Sequence, residues 1–152
     1  MSLTESFINR KTSEISPTEF FELLLEELKL NPGLKGYYRF FKNDSGFLFR
    51  KAYFVQRLQF IADHINDKSF NIWDCGSGYG TTGLFLSLNG YSSFGSTVEY
   101  YLKEFGNRLD YWKKFGDVSK YSTRLENIFD SHPEESSVDV ILLQDTLPTS
   151  TV

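Results

Sequence analysis

Between Phe70 and Gly90 the chain carries a short apolar run, a loop with glycine at alternate positions, and a helical pattern. Few folds accept that succession. Phe70-Asn71-Ile72-Trp73-Asp74 has the character of a strand ending on a carboxylate. Cys75-Gly76-Ser77-Gly78-Tyr79-Gly80 follows as the loop. Leu84, Phe85 and Leu88 then recur at helical spacing, and Gly90 can stop the helix. Strand, glycine loop and helix in that order is how an open α/β sheet builds a nucleotide site. The glycines let backbone approach a ligand, and the first helical turn offers unpaired N–H groups.

Two registers of the loop are available. Gly78-Tyr79-Gly80-Thr81-Thr82-Gly83 satisfies the dinucleotide fingerprint Gly-x-Gly-x-x-Gly. In that register Asp74 falls inside a strand that should be buried and apolar. The second register starts at Asp74 and runs through Gly76, Gly78 and Gly80. It puts the carboxylate at the strand's carboxyl end, facing the crevice, where a charge is tolerable. A Walker-type phosphate loop is excluded, because no Gly-Lys-Ser/Thr follows.

The rest of the chain supplies the elements that such a loop needs. Ser16-Pro17-Thr18-Glu19 is a helix start, and Asn31-Pro32-Gly33 a stop, predicting a helix over 17–30. A second helix is predicted over 48–65, with Tyr53, Leu58, Ile61 and Ile65 inward. After the loop, 93–98 is predicted as a strand. A helix follows over 100–115, with Leu102, Phe105, Leu109 and Trp112 on one face. A third strand is expected over 121–125 and a fourth, almost wholly apolar, over 138–143. Strands alternating with helices mean an α/β fold with a mostly parallel sheet and right-handed crossovers. The apolar fourth strand suits a sheet covered on both faces. The division expected is a helical extension over 1–69, beginning with a mobile lead-in, packed on a core over 70–152.

Composition narrows the function classes. At 152 residues, 40% hydrophobic and 17% aromatic, the chain is long and apolar enough to bury a core. No apolar run reaches membrane-spanning length, and the start is not a signal peptide. Cys75 alone permits neither an internal disulfide nor a cysteine metal cluster, which suits a reducing, cytoplasmic setting. His64 and His132 have no ligand-type spacing and are expected at the surface. The net charge of −4 argues against a general nucleic-acid binder. Charge is uneven, however. Lys35, Arg39, Lys42, Arg50, Lys51 and Arg57 face only Asp44 across the aromatic segment 35–57, where an anionic substrate could be attracted.

The Asp74-Cys75-Gly76-Ser77-Gly78-Tyr79-Gly80 loop, with Glu99 after the second strand, resembles the class I S-adenosylmethionine-dependent methyltransferases. The resemblance covers 70–146 and implies a Rossmann-like three-layer sandwich with strand order 3-2-1-4. It implies S-adenosyl-L-methionine as cofactor. Asp74 would then order the methionine end, with Cys75, Gly76, Ser77 and Gly78 lining the close approach. Glu99 would hold the ribose hydroxyls, since a carboxylate can accept two side by side. Glu126 or Asn127 would lie near the adenine. Gln144 would meet the methionine end, and Asp145 would orient or deprotonate the methyl acceptor. Amino-directed subfamilies carry Asp/Asn/Ser-Pro-Pro-aromatic after the fourth strand; Gln144-Asp145-Thr146-Leu147-Pro148 departs from it, so the acceptor stays open.

Two other readings stand beside this one. One is an NAD(P)-binding oxidoreductase domain using the overlapping fingerprint. The other is a non-catalytic module that binds a nucleoside or a partner. The family's fold also continues past a fourth strand. The sequence is therefore expected to be a shortened form with little activity, self-associating through the open edge of its fourth strand.

Overall fold

The computed structural model describes residues 5, 14–34, 38, 47–98, 101, 103–126, 133 and 137–144. They belong to two units, Met1–Asn66 and Asp67–Val152.

The first unit is helical. Helix α1 spans Pro17–Leu30 and begins with the expected capping box. Glu19 N–H donates to Ser16 Oγ, and Ser16 N–H donates to Glu19 Oε1, each at 3.2 Å. A 3₁₀ turn, Pro32–Leu34, follows. Helix α2 spans Phe47–His64. Phe20 and Phe21 of α1 are fully buried and meet Phe54 of α2 at ring-centroid distances of 6.3 and 5.4 Å. The inward stripe of α2 therefore runs through Phe54, Leu58 and Ile61, not Tyr53. One residue is about 100° around a helix, and Tyr53 is 51% exposed with the Arg57 guanidinium over its ring. Lys51 is committed to Glu22 at 2.7 Å, and Arg50 is exposed. Lys35, Arg39, Lys42 and His132 lie outside the described residues; His64 is exposed.

The second unit is the predicted α/β sheet. Strands β1 (Asn71–Cys75), β2 (Ser92–Thr97), β3 (Tyr121–Leu125) and β4 (Val140–Leu143) lie in the order 3-2-1-4, every pairing parallel. Helix α3 (Thr81–Leu88) connects β1 to β2, and α4 (Phe105–Trp112) connects β2 to β3. Gly90, at φ 87°, closes α3 in a Schellman motif: Tyr91 N–H reaches Leu86 carbonyl and Gly90 N–H reaches Ser87 carbonyl. Strand register assigns the faces. Ile72, Asp74, Ser93, Gly95 and Tyr121 share one face; Trp73, Cys75, Phe94, Ser96, Ile141 and Leu143 share the other.

Three expectations shift. The helix predicted over 100–115 is assigned from Phe105 to Trp112; Leu102 lies outside the described residues. Its buried residues are Arg108, Tyr111 and Trp112, while Phe105 and Leu109 are only half-buried. Strand β4 begins at Val140, because Asp139 caps the neighbouring strand instead: its carboxylate accepts from Asn71 N–H at 2.8 Å. Covering on both faces does not extend to β4, where Ile141 and Leu143 are more than half exposed. Among the described residues no helix is long and apolar enough to cross a membrane.

Candidate functional site

The glycine loop leaves the carboxyl end of β1 at the centre of the sheet. Gly76, Gly78 and Gly80 all have positive φ, at 66°, 55° and 79°. Side chains rarely adopt that conformation, so alternation of glycine is what allows the loop to coil this tightly. The loop is pinned to β2. Ser77 N–H donates to the Ser96 carbonyl at 2.9 Å, and Thr97 Oγ1 donates to the Gly78 carbonyl at 3.1 Å.

Gly80 and Gly83 have a different purpose. A Cβ on Gly80 would press on Phe105 and Tyr121, and one on Gly83 would overlap the Tyr121 ring. Gly95 on β2 is likewise filled by Ser77 and the Tyr121 hydroxyl. Tyr121 thus sits beneath the loop against three glycines, its ring edge-on to Phe105 at 5.5 Å. Its hydroxyl is buried with no well-directed hydrogen bond. Burial pushes that phenol well above its ordinary pKa; the Ser77 hydroxyl draws it back, the Asp74 charge raises it again, and Arg108 lowers it.

Arg108 is the residue that the sequence pattern did not single out. Its side chain is fully buried. One guanidinium nitrogen donates to the Tyr79 carbonyl at 2.9 Å and to Thr81 Oγ1 at 2.8 Å, gripping the chain on both sides of Gly80. Arg108 stands three residues from Phe105 and four from Trp112, at the flank of the predicted apolar face; its charge, not its position, is what argues for solvent there.

Of the residues expected at the site, the sheet brings several to its carboxyl end. Asp74 stands one residue before the end of β1, at the expected carboxyl end of the strand, and is 3% exposed. Cys75 is buried beside it, and burial, then the charges of Asp74 and Glu126, push its thiol from 9.0 to about 11. A thiol so raised stays protonated at neutral pH, which argues against a nucleophilic role. Gln144, just past β4, accepts from Thr82 Oγ1 of α3 at 3.2 Å, which places it beside the first turn of that helix. Glu126, just past β3, accepts from Ser96 Oγ at 2.7 Å. Glu99, Asn127 and Asp145 lie outside the described residues. Among those described, no group of His, Cys, Asp and Glu could hold a metal ion.

No protein-family model matches the chain, and no curated protein matches it. Among solved structures it is similar to an RNA methyltransferase from Salinibacter ruber in complex with S-adenosyl-L-homocysteine. The TM-score is 0.44 and the identity 18%, over 57% of this chain and 53% of that one. That is a distant likeness in architecture, spanning about half the length of the other protein.

Proposed function

We propose that the chain is the cofactor-binding part of an S-adenosylmethionine-dependent methyltransferase. The observation that carries this reading is the division of labour among the glycines. Gly76 and Gly78 form the positive-φ curve directly after Asp74. The Cβ directions of Gly80 and Gly83 are filled by the chain's own rings. The dinucleotide register needs Gly80 for close approach to a pyrophosphate. The occupied space around it favours the register that starts at Asp74.

In this reading the residues fit an adenosyl cofactor in kind. The curve at Gly76 and Gly78 admits a backbone contact, and Gln144 beside α3 meets the methionine end along with Asp74. Glu99 takes the ribose, and Glu126 or Asn127 the base. When bound, the sulfonium supplies an electrophilic methyl group. The chain's own work is to hold the nucleoside, orient an acceptor and exclude water. In the same reading Asp145 orients or deprotonates that acceptor.

Calorimetric titration with S-adenosylmethionine, S-adenosylhomocysteine and NAD tests the reading. The two adenosyl ligands should bind and NAD should not. Glu99→Ala should weaken binding by roughly 1–3 kcal/mol, the loss of hydrogen bonds to a charged group. Binding of NAD alone would overturn the assignment in favour of the dinucleotide register.

A further inference from the structure

On the sheet face away from Tyr121, a line of hydrogen bonds runs from β1 through β2 to the residue just past β3. Trp73 Nε1 donates to Ser96 Oγ at 2.8 Å, and Ser96 Oγ donates to Glu126 Oε1 at 2.7 Å. The direction of this line is forced. An indole N–H only donates and a carboxylate only accepts, so the Ser96 hydroxyl must turn its single proton to Glu126. Ser96 is fully buried. The indole is itself held, stacked on Phe94 at 6.1 Å with the rings 12° from parallel. The Arg124 guanidinium lies 4.0 Å from the centroid of the Phe94 ring.

The line ends at the carboxyl edge of the sheet. Glu126 is half-buried, and its backbone N–H donates to the Thr97 carbonyl at 3.0 Å. Backbone and one carboxylate oxygen are therefore both tied down. The second oxygen has no hydrogen-bond partner among the described residues. A carboxylate so held is an acceptor of set direction at the edge where the glycine loop also opens.

Resting on the nucleoside-binding reading above, we propose that Trp73 and Ser96 are positioning residues, which hold the Glu126 carboxylate as an acceptor for the amino group of the nucleobase. The pair thereby sets a preference for adenine over hypoxanthine. Adenine presents an exocyclic N–H donor to such a group. Hypoxanthine presents a carbonyl oxygen there, which a carboxylate repels. A mobile carboxylate could swing away from that oxygen; one held by Ser96 cannot.

The test is calorimetric titration of the parent, Trp73→Phe, Ser96→Ala and Ser96→Cys with S-adenosylhomocysteine and with its hypoxanthine analogue, S-inosylhomocysteine. Melting temperatures accompany each titration. The parent should prefer the adenine ligand. Trp73→Phe and Ser96→Ala should each weaken that ligand roughly three- to tenfold, while the hypoxanthine ligand changes by less than about twofold. Ser96→Cys keeps a weak donor and should recover part of the preference. Equal loss for both ligands, or a lower melting temperature with the preference intact, would mean that the line serves packing alone, and the inference would fall. A parent that binds the adenine ligand without base preference also overturns it but spares the cofactor reading. A parent that binds neither ligand overturns both.

Discussion

The ring of Tyr121, at the start of β3, occupies the space that a side chain on Gly83 in α3 would need. Two elements far apart in sequence meet there without any intervening atom. Gly83→Ala should therefore destabilise the protein by roughly 1–3 kcal/mol, although alanine is the better helix former, because overpacking outweighs propensity. Urea denaturation measures it. Combining Gly83→Ala with Tyr121→Leu should recover part of the loss; additive losses would show that the two residues are not in conflict.

The hydroxyl of the same tyrosine makes no well-directed hydrogen bond although it is buried. Tyr121→Phe should consequently be neutral or stabilising, by up to about 1 kcal/mol, since it removes a buried polar group for which the Ser77 hydroxyl compensates poorly. It should also soften an alkaline limb of the stability curve. Tyr121 and Cys75 both have pKa values raised by burial, Cys75 from 9.0 to about 11. In each case the folded state retains a proton that the unfolded chain releases. Their contribution is intact below the unfolded pKa and is lost as pH rises through the folded one, from about pH 9 upward. Urea midpoints at about pH 8 and about pH 10 should separate more widely for the parent than for Cys75→Ala or Tyr121→Phe.

Arg108 grips Tyr79 and Thr81 from within the core. Arg108→Met should cost roughly 2–4 kcal/mol, since it strands a buried carbonyl and a hydroxyl. Arg108→Lys can donate to one acceptor and should restore part of the loss. If both variants unfold at the parent's urea midpoint, the grip contributes nothing.

Ile141 and Leu143 project from the exposed face of β4, an edge strand among the described residues. An edge that is apolar and open recruits other chains. The parent should self-associate as concentration rises, and Ile141→Lys should suppress this with little change in stability. Light scattering across a concentration series decides it; a parent that stays monomeric would remove the edge from consideration.

Much of the sheet was legible because its signals are local. The capping box at Ser16 and Glu19, the glycine alternation and the strand period each act within a few residues, and strands and helices fall within a few residues of their predicted bounds where described. The errors share one cause, side chains whose partners lie elsewhere in the chain. Arg108 looks solvated by its charge and is buried because the glycine loop offers it acceptors. Tyr53 looked like core, but the phase of α2 is set by Phe54 against Phe20 and Phe21. Trp73 and Ser96 carried a clue that could have been used. A strand in the middle of a parallel sheet with Ser96 and Thr97 at its carboxyl end must bury hydroxyls, and most buried hydroxyls need partners.

The 3-2-1-4 order also has a consequence in time. The central strand β1 is completed on one side by β2, only a short helix downstream, but on the other by β4, whose flanking Asp139 lies 68 residues after Asn71. At about 5–20 residues per second, a ribosome needs roughly 3–14 seconds to deliver that second neighbour. In the last part of that interval, once β2 and β3 have followed, a nascent chain that has joined β1, β2 and β3 still exposes the backbone of β1 on one side. The organisation that gives β1 its place under the glycine loop therefore makes it the part of the newborn chain most in need of shelter.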